Sequence, residues 1–267
     1  MGRRIATGRT AEVFDGGADR VVKVFRAGWS DAEGDHEARA AAVAHAAGVG
    51  APAVLGTGHV DGRYAIAYER RSGTPMVEHL VVRPWDGVRL AGTFAERHVA
   101  MHEADGSALP DLRAALFDAV ERAGEQATDR VTAAARRRIE GLGGGTAICH
   151  GDYHPGNVVL TADGPAVIDW VTATAGQPEA DVARTLFLLR DAALDANLPW
   201  TDQARLTLLR HAFAVAYGRH YRSLRPIDAR RVRAWRLPIL VARLAEGIAA
   251  EREPILRAVD RELAVGP

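Results

Sequence analysis

His150-Gly151-Asp152-Tyr153-His154-Pro155-Gly156-Asn157, followed after nine intervening residues by Val167-Ile168-Asp169-Trp170, is the stretch that decides the fold. An apolar run, Thr146-Ala147-Ile148-Cys149, leads into it and reads as a buried strand. Pro155 and Gly156 force the chain to turn back just past Asp152. Asn157 stands five residues after Asp152, and Asp169 twelve after Asn157, at the end of a second short apolar run, Ala166-Val167-Ile168. The spacing predicts a carboxylate, an amide and a second carboxylate gathered at one end of two neighbouring strands. Phosphoryl transfer needs such a set. Asp152 would orient and deprotonate an attacking hydroxyl, while Asn157 and Asp169 would hold Mg²⁺ on the nucleotide phosphates. Taken singly, Asp152 reads as a turn or capping aspartate and Asn157 as a turn asparagine; their joint spacing with Asp169 favours the catalytic reading.

H-G-D-x-x-x-x-N followed by I-D-W resembles the aminoglycoside phosphotransferase family, small-molecule relatives of the protein kinases. Their H-G-D stands where protein kinases have H-R-D, and their I-D where those have D-F-G. The resemblance runs from the first strand to about residue 190. It implies an α+β, bilobed, protein-kinase-like fold with a hinge at about residues 69–75. A small N-terminal antiparallel sheet lobe with one helix (1–70) would bind nucleotide. A larger, mainly helical C-terminal lobe (71–267) would carry the catalytic loop and the substrate site. The cofactors implied are ATP or GTP and Mg²⁺, and the reaction is transfer of the γ-phosphoryl group to a hydroxyl of an antibiotic or metabolite. Glu69 and Arg71 would offer a backbone carbonyl and amide to the nucleotide base. Asp181 resembles a residue that ties its segment to the catalytic loop by hydrogen bonds. His154, two residues past Asp152, stands where protein kinases commonly carry a lysine. A protonated imidazole there would neutralise the transferring group, with activity falling as pH rises through its pKa; a second reading has His154 hydrogen-bond backbone and shape the loop. His150 is expected to brace the loop from behind, and Trp170 to pack.

Composition narrows the class. The chain has 267 residues with 48% hydrophobic composition, enough for a substantial core. Formal net charge is zero and the pI near 7.2, so no global field recruits nucleic acid or membrane. No apolar run reaches about 18 residues and no charged-then-apolar leader opens the chain, so a soluble, cytoplasmic protein is expected, with no obligate protein partner evident. The single cysteine, Cys149, rules out an internal disulfide and suits a reducing compartment. Lys and Arg total 34, yet the only lysine is Lys23, in Val21-Val22-Lys23-Val24-Phe25. Kinases place there the lysine that contacts the α- and β-phosphates, a task suited to a slim ammonium rather than a planar guanidinium.

Residues 5–25 read as a strand, a turn and two more strands, with Thr7–Phe14 as the loop over the phosphates. It carries one glycine, Gly8, and the backbone amides around Arg9, Thr10 and Ala11 would bond phosphate oxygens. A helix is expected from Ser30 to Ala47, opened by a Ser30/Glu33 capping box and ended at Gly48. In it Glu37 is the candidate ion-pair partner of Lys23, with Glu33 the alternative. Two further strands flank an Asp61-Gly62 turn, completing five strands and one helix. Helices are expected over 88–103, 110–123 and 127–141, then over 200–221 and 228–263. His98 and His102 have i, i+4 spacing that can ligate zinc, but no third ligand stands out, so packing roles are favoured.

Substrate choice is assigned to residues 76–145 and 190–267. Between Thr201 and Arg236 nine arginines face only Asp202 and Asp228, a balance that would repel a polycation if it lined the site. A neutral or anionic hydroxylated small molecule therefore fits at least as well as an aminoglycoside. Two other readings differ in class. A catalytically inactive nucleotide-binding module would not need Asp152, and a protein kinase would need an activation segment that the chain lacks.

Overall fold

The computed structural model describes residues 2–194 and 198–265, so positions 195–197 and 266–267 of the stretch expected to select substrate lie outside the described residues. In chain order the strands are β1 (Arg4–Thr7), β2 (Ala11–Asp15), β3 (Arg20–Phe25), β4 (Val54–Val60), β5 (Arg63–Glu69), β6 (Gly73–Pro75), β7 (Ala147–Cys149), β8 (Val158–Thr161), β9 (Gly164–Val167) and β10 (Thr174–Gly176). The helices are α1 (Asp31–Ala46), α2 (Met76–Val82), α3 (Gly87–Glu103), α4 (Leu112–Arg122), α5 (Asp129–Glu140), α6 (Pro178–Arg190), α7 (Trp200–Leu224), α8 (Ala229–Ala234), α9 (Arg236–Leu244) and α10 (Ala249–Val265). This is an α+β chain in two compact units: Met1–Val82 with Pro155–Ala173, and Arg83–His154 with Thr174–Pro267.

The first unit holds an antiparallel sheet in the order β1-β2-β3-β5-β4. Asp61 and Gly62 both take positive φ, 50° and 73°, the handedness a two-residue hairpin needs to follow the twist of its strands. Ser30 caps α1 as expected: its hydroxyl accepts the Glu33 amide, and the Glu33 carboxylate accepts the Ser30 amide at 2.8 Å. The buried face of α1 is small (Gly34, Ala38, Ala41, Ala44), so the helix seats closely; a Cβ at Gly34 would stand 2.2 Å from the Tyr64 ring. Glu37 is the charged exception on that face, and buried charge requires a partner. The same unit carries a second sheet, β6-β8-β9.

The second unit is mainly helical, with β7 and β10 paired antiparallel. Leu237, Leu240 and Val241 of α9 pack with Val120, Ile139 and Val259 from α4, α5 and α10. Each such side chain contributes about 1.5–3 kcal/mol on leaving water.

Three expectations are corrected. The apolar runs flanking the motif do not form neighbouring strands: β7 pairs with β10, and β9 with β8. The loop read as Thr7–Phe14 is shorter, because β2 begins at Ala11 and pairs with β3 from its first residue. The helix expected over 228–263 is three helices. Pro238 has no N–H to continue a ladder, which interrupts α8 before α9, and Gly247 at φ 67° ends the run after α9.

Candidate active site

In the first unit Lys23 is the focus. Strand pairing sets Lys23 between Val13 and Ile66, and its Nζ donates to Glu37 Oε1 and Oε2 at 2.7 and 2.8 Å and to Asp169 Oδ1 at 2.7 Å. Tyr68 OH donates to Glu37 Oε1 at 3.0 Å. Lys23 is 8% exposed and Glu37 1%. Burial alone would push the ammonium down; the Glu37 and Asp169 carboxylates outweigh it and hold the pKa above the ordinary lysine value. Glu33, the alternative partner, is committed to the α1 cap.

Asp169 reaches Lys23 from a left-handed backbone, φ 67°, sparsely populated by any residue with a side chain. The turn is held on either side. Ile168 donates its amide to the Asn157 carbonyl at 3.0 Å, and Trp170 Nε1 donates to the Val167 carbonyl at 3.0 Å, with the indole buried as expected. Asn157 and Asp169 thus follow from one pair of adjacent chain segments and offer amide and carboxylate oxygens, the hard donors that Mg²⁺ takes alongside phosphate and water. The donor set suits a magnesium–nucleotide.

Gly8 donates its amide to the Ala11 carbonyl at 2.8 Å, and the Arg26 guanidinium donates to the Gly8 carbonyl at 3.1 and 3.2 Å. This fixes the short turn through Arg9 and Thr10. Glu69 donates its amide to the Ala53 carbonyl at 2.9 Å, while its carboxylate accepts Ala53 N and Arg71 Nη1.

In the second unit lies Asp152. His154 Nε2 stands 3.6 Å from Asp152 Oδ2. Burial pushes the Asp152 carboxyl up, but His154, with Arg184 and His150 close by, outweighs it and holds the group well below the usual carboxylate range. His150 is fully buried behind the loop, and its Nδ1 accepts the Asp152 amide at 3.2 Å, the bracing role expected of it.

The loop hangs from α6. Asp181 Oδ2 accepts the His150 amide at 2.6 Å and Oδ1 the Gly151 amide at 2.9 Å, while Arg184 Nε donates to the Gly151 carbonyl at 3.1 Å. Gly151 sits at φ 75°, where a Cβ would strain the backbone immediately before Asp152. His98 and His102, whose spacing suggested zinc, both direct Nε2 at Asp181 Oδ2, at 3.1 and 3.3 Å. Their Nδ1 atoms lie 2.8 and 2.6 Å from the hydroxyls of Tyr217 and Tyr221. These three ligating groups lie close enough to share a metal, but every ring nitrogen already has a protein partner, so the cluster reads as a closed hydrogen-bond network. An ionised Asp181 accepting on both oxygens fixes each histidine as the Nε2–H tautomer, with the tyrosine hydroxyl donating to Nδ1. Burial would raise the Asp181 carboxyl, yet the His102 and His98 donors hold it well below its usual range; burial likewise lowers His98 to about 3.

Tyr68, Arg184, Tyr217 and Tyr221 were not singled out from sequence. A signal for the tyrosines exists: Tyr217 and Tyr221 repeat the i, i+4 spacing of His98 and His102. Of the nine arginines, Arg210 donates to the carbonyls of Leu188, Leu189 and Ala192. Arg233 and Arg236 pair with Glu262, and Arg236 also with Asp191, carboxylates from outside the basic stretch. Arg205, Arg219, Arg222, Arg230 and Arg231 are exposed.

Comparison with solved structures gives the fold the same company. An aminoglycoside-3'-phosphotransferase of type VIII superposes with a TM-score of 0.63 at 19% identity, covering 88% of this chain and 90% of that one. Aminoglycoside phosphotransferase APH(3'')-Id from Streptomyces rimosus gives 0.56 at 19% identity, covering 89% and 91%. The GDP and kanamycin complex of APH(2'')-IIIa gives 0.57 at 15% identity, covering 99% and 93%. A comparison with curated proteins returned no match. Residues 2–227 match the profile of the phosphotransferase enzyme family, and with the H-G-D and I-D segments inside that span the chain belongs to this family.

Proposed function

We propose that this phosphotransferase moves the γ-phosphoryl group of ATP or GTP to a hydroxyl of a small molecule, an antibiotic or metabolite, with Asp152 as base. The observation that carries the reading is the fate of the sole lysine: Lys23 is buried and shared between Glu37 and Asp169. In this reading residues 1–70 form the nucleotide-binding lobe, 71–267 the substrate lobe, and 69–75 the hinge. Lys23, oriented by Glu37, anchors the α- and β-phosphates. The amides of Gly8, Arg9, Thr10 and Ala11 cover them, and the backbone at Glu69 and Arg71 meets the base. Asn157 and Asp169 hold Mg²⁺, which when bound neutralises charge on the phosphate oxygens. Asp152 is too acidic to take a proton from a resting alcohol. It orients the hydroxyl and accepts the proton late, once bonding to phosphorus has made that proton acidic. The acceptor can be neutral, anionic or cationic, and the enzyme's action is placed in the cytoplasm, a compartment that keeps the buried, unpaired Cys149 reduced.

Asp169→Ala is expected to weaken magnesium–nucleotide binding at least about tenfold, the scale on which even groups that merely orient metal ligands matter. Calorimetric titration with Mg-ADP measures it, and an unchanged Kd would remove Asp169 from the metal site. The acceptor is found by thermal-shift screening of aminoglycosides, macrolides, sugars and amino alcohols with Mg-nucleotide present.

His154 is proposed to offset charge on the transferring group from beside Asp152. His154→Gln should lower turnover about tenfold or more, and a variant that turns over at the parent's rate would confine His154 to shaping the loop.

A further inference from the structure

The carbonyl of Gly151 is held by Arg184, and Arg184 is itself held by something outside the region the family profile matches. Arg184 Nη2 donates to Glu246 Oε1 at 2.5 Å, and Glu246 Oε2 accepts Arg243 Nη1 at 2.5 Å. Arg243 then grips Glu251 with two parallel bonds, Nε to Oε2 at 2.6 Å and Nη2 to Oε1 at 3.0 Å, and Glu251 Oε1 also accepts the Ala193 amide. The side chains are 13%, 24%, 8% and 4% exposed in the order Arg184, Glu246, Arg243, Glu251, so two cations and two anions alternate with little solvent between them. Phe187 lies within 6.0 Å of both guanidinium carbons. Arg243, Glu246 and Glu251 all lie beyond residue 227, where the match ends.

We propose that the turn joining α9 to α10 is a second anchor of the catalytic loop, with Glu246 and Arg184 as positioning residues that act through the Gly151 carbonyl on Asp152. The inference rests on the reading of Asp152 as base. A guanidinium is a rigid fork, so fixing its Nη2 edge on Glu246 fixes the direction in which Nε meets Gly151. Asp181 holds the two amides that precede this peptide and Arg184 holds its carbonyl. Glu246 cannot move without turning that carbonyl, one residue from the reacting carboxylate. Arg243 and Glu251 hold Glu246 in turn, since losing either member of such a pair strands its partner's charge.

The test compares the full-length protein with Glu246→Gln and with Arg184→Lys. The lysine keeps a cation opposite Glu246 but lacks the rigid fork that fixes the direction of the bond to Gly151, so it stands in if Glu246→Gln does not fold. Hydrogen exchange of a peptide spanning 149–153 should quicken about tenfold in either variant. ADP formation from Mg-ATP, with the best acceptor or with water, should fall about ten- to hundredfold. The Kd for Mg-ADP should not change. Faster exchange confined to residues 243–251, or unaltered turnover, would reduce the network to a structural clamp and overturn the proposal. A parent protein with no turnover on any acceptor would instead remove the proposed function, and the exchange at 149–153 would alone decide whether the anchor exists.

Discussion

Asp152→Ala is expected to lower phosphoryl transfer by about 10²- to 10⁴-fold, the usual contribution of a positioned general base, while the Kd for Mg-ADP stays within about twofold. The asymmetry has a physical origin. Every group assigned to the nucleotide or its metal (Lys23, Glu37, Asn157, Asp169) belongs to the first compact unit, whereas Asp152 belongs to the second, bonded to His150 and beside His154. Removing its carboxylate takes nothing from the phosphate-binding set. Asp152→Asn sharpens the comparison, because the amide keeps the shape but cannot accept the proton. Steady-state rates beside calorimetric affinities decide the matter. An Asn variant retaining more than about a tenth of the parent rate would leave Asp152 with orientation alone.

Asp181→Asn should carry the largest stability penalty of any single change considered. The Asp181 carboxylate accepts the His150 and Gly151 amides and the Nε2 protons of His98 and His102. An asparagine presents one oxygen to these four donors and turns N–H bonds toward the rest. Breaking a buried, charge-bearing network of this kind costs about 3–5 kcal/mol, which lowers Tm by roughly 10 °C in a chain of this size. The pH dependence follows from the directions of the shifts. Asp181 is depressed below the ordinary carboxyl value of 3.8, so its stabilisation is fully present above about pH 4 and is lost as pH falls further. His98 is depressed from 6.5 to about 3, so the unfolded chain takes up a proton below pH 6.5 that the folded protein refuses until about pH 3. Stability of the parent should therefore begin to fall below about pH 6.5 and steepen below pH 4, with the steeper limb blunted in Asp181→Asn. Thermal melts from pH 3 to 8 would show it, and an unchanged Tm in the variant would mean the loop does not hang from α6.

How far the sequence was legible depends on the range of the interaction. Features written in a few neighbouring residues could be read directly: the Ser30/Glu33 cap, the Asp61-Gly62 turn, the five-stranded sheet with its single helix. The Lys23–Glu37 pair was also legible, because a lone lysine between valines and a glutamate on an otherwise alanine-lined helix face have few other uses. Pairing between distant segments was not. β7 is three residues long, and nothing in Ala147-Ile148-Cys149 says that its partner is β10 rather than β9. Asp181 follows His102 by 79 residues, so the histidine pair looked as if it lacked a third member. Pro238 and Gly247 are helix breakers, but the apolar periodicity runs on across both of them and reads as one helix. The arginines of α7 to α9 could be counted but not sorted, since Arg210 and Arg236 find their acceptors on α6, in the turn that follows it and on α10.

The burial of Lys23 makes the protein an unusually clean substrate for covalent labelling. No other side chain carries a primary amine, so acylation found on a side-chain amine reports on this one position. In the resting protein that nitrogen is sequestered by two carboxylates, and its labelling rate measures how often they release it. Mass spectrometry of one tryptic segment would thus follow the opening of the ion pair in real time.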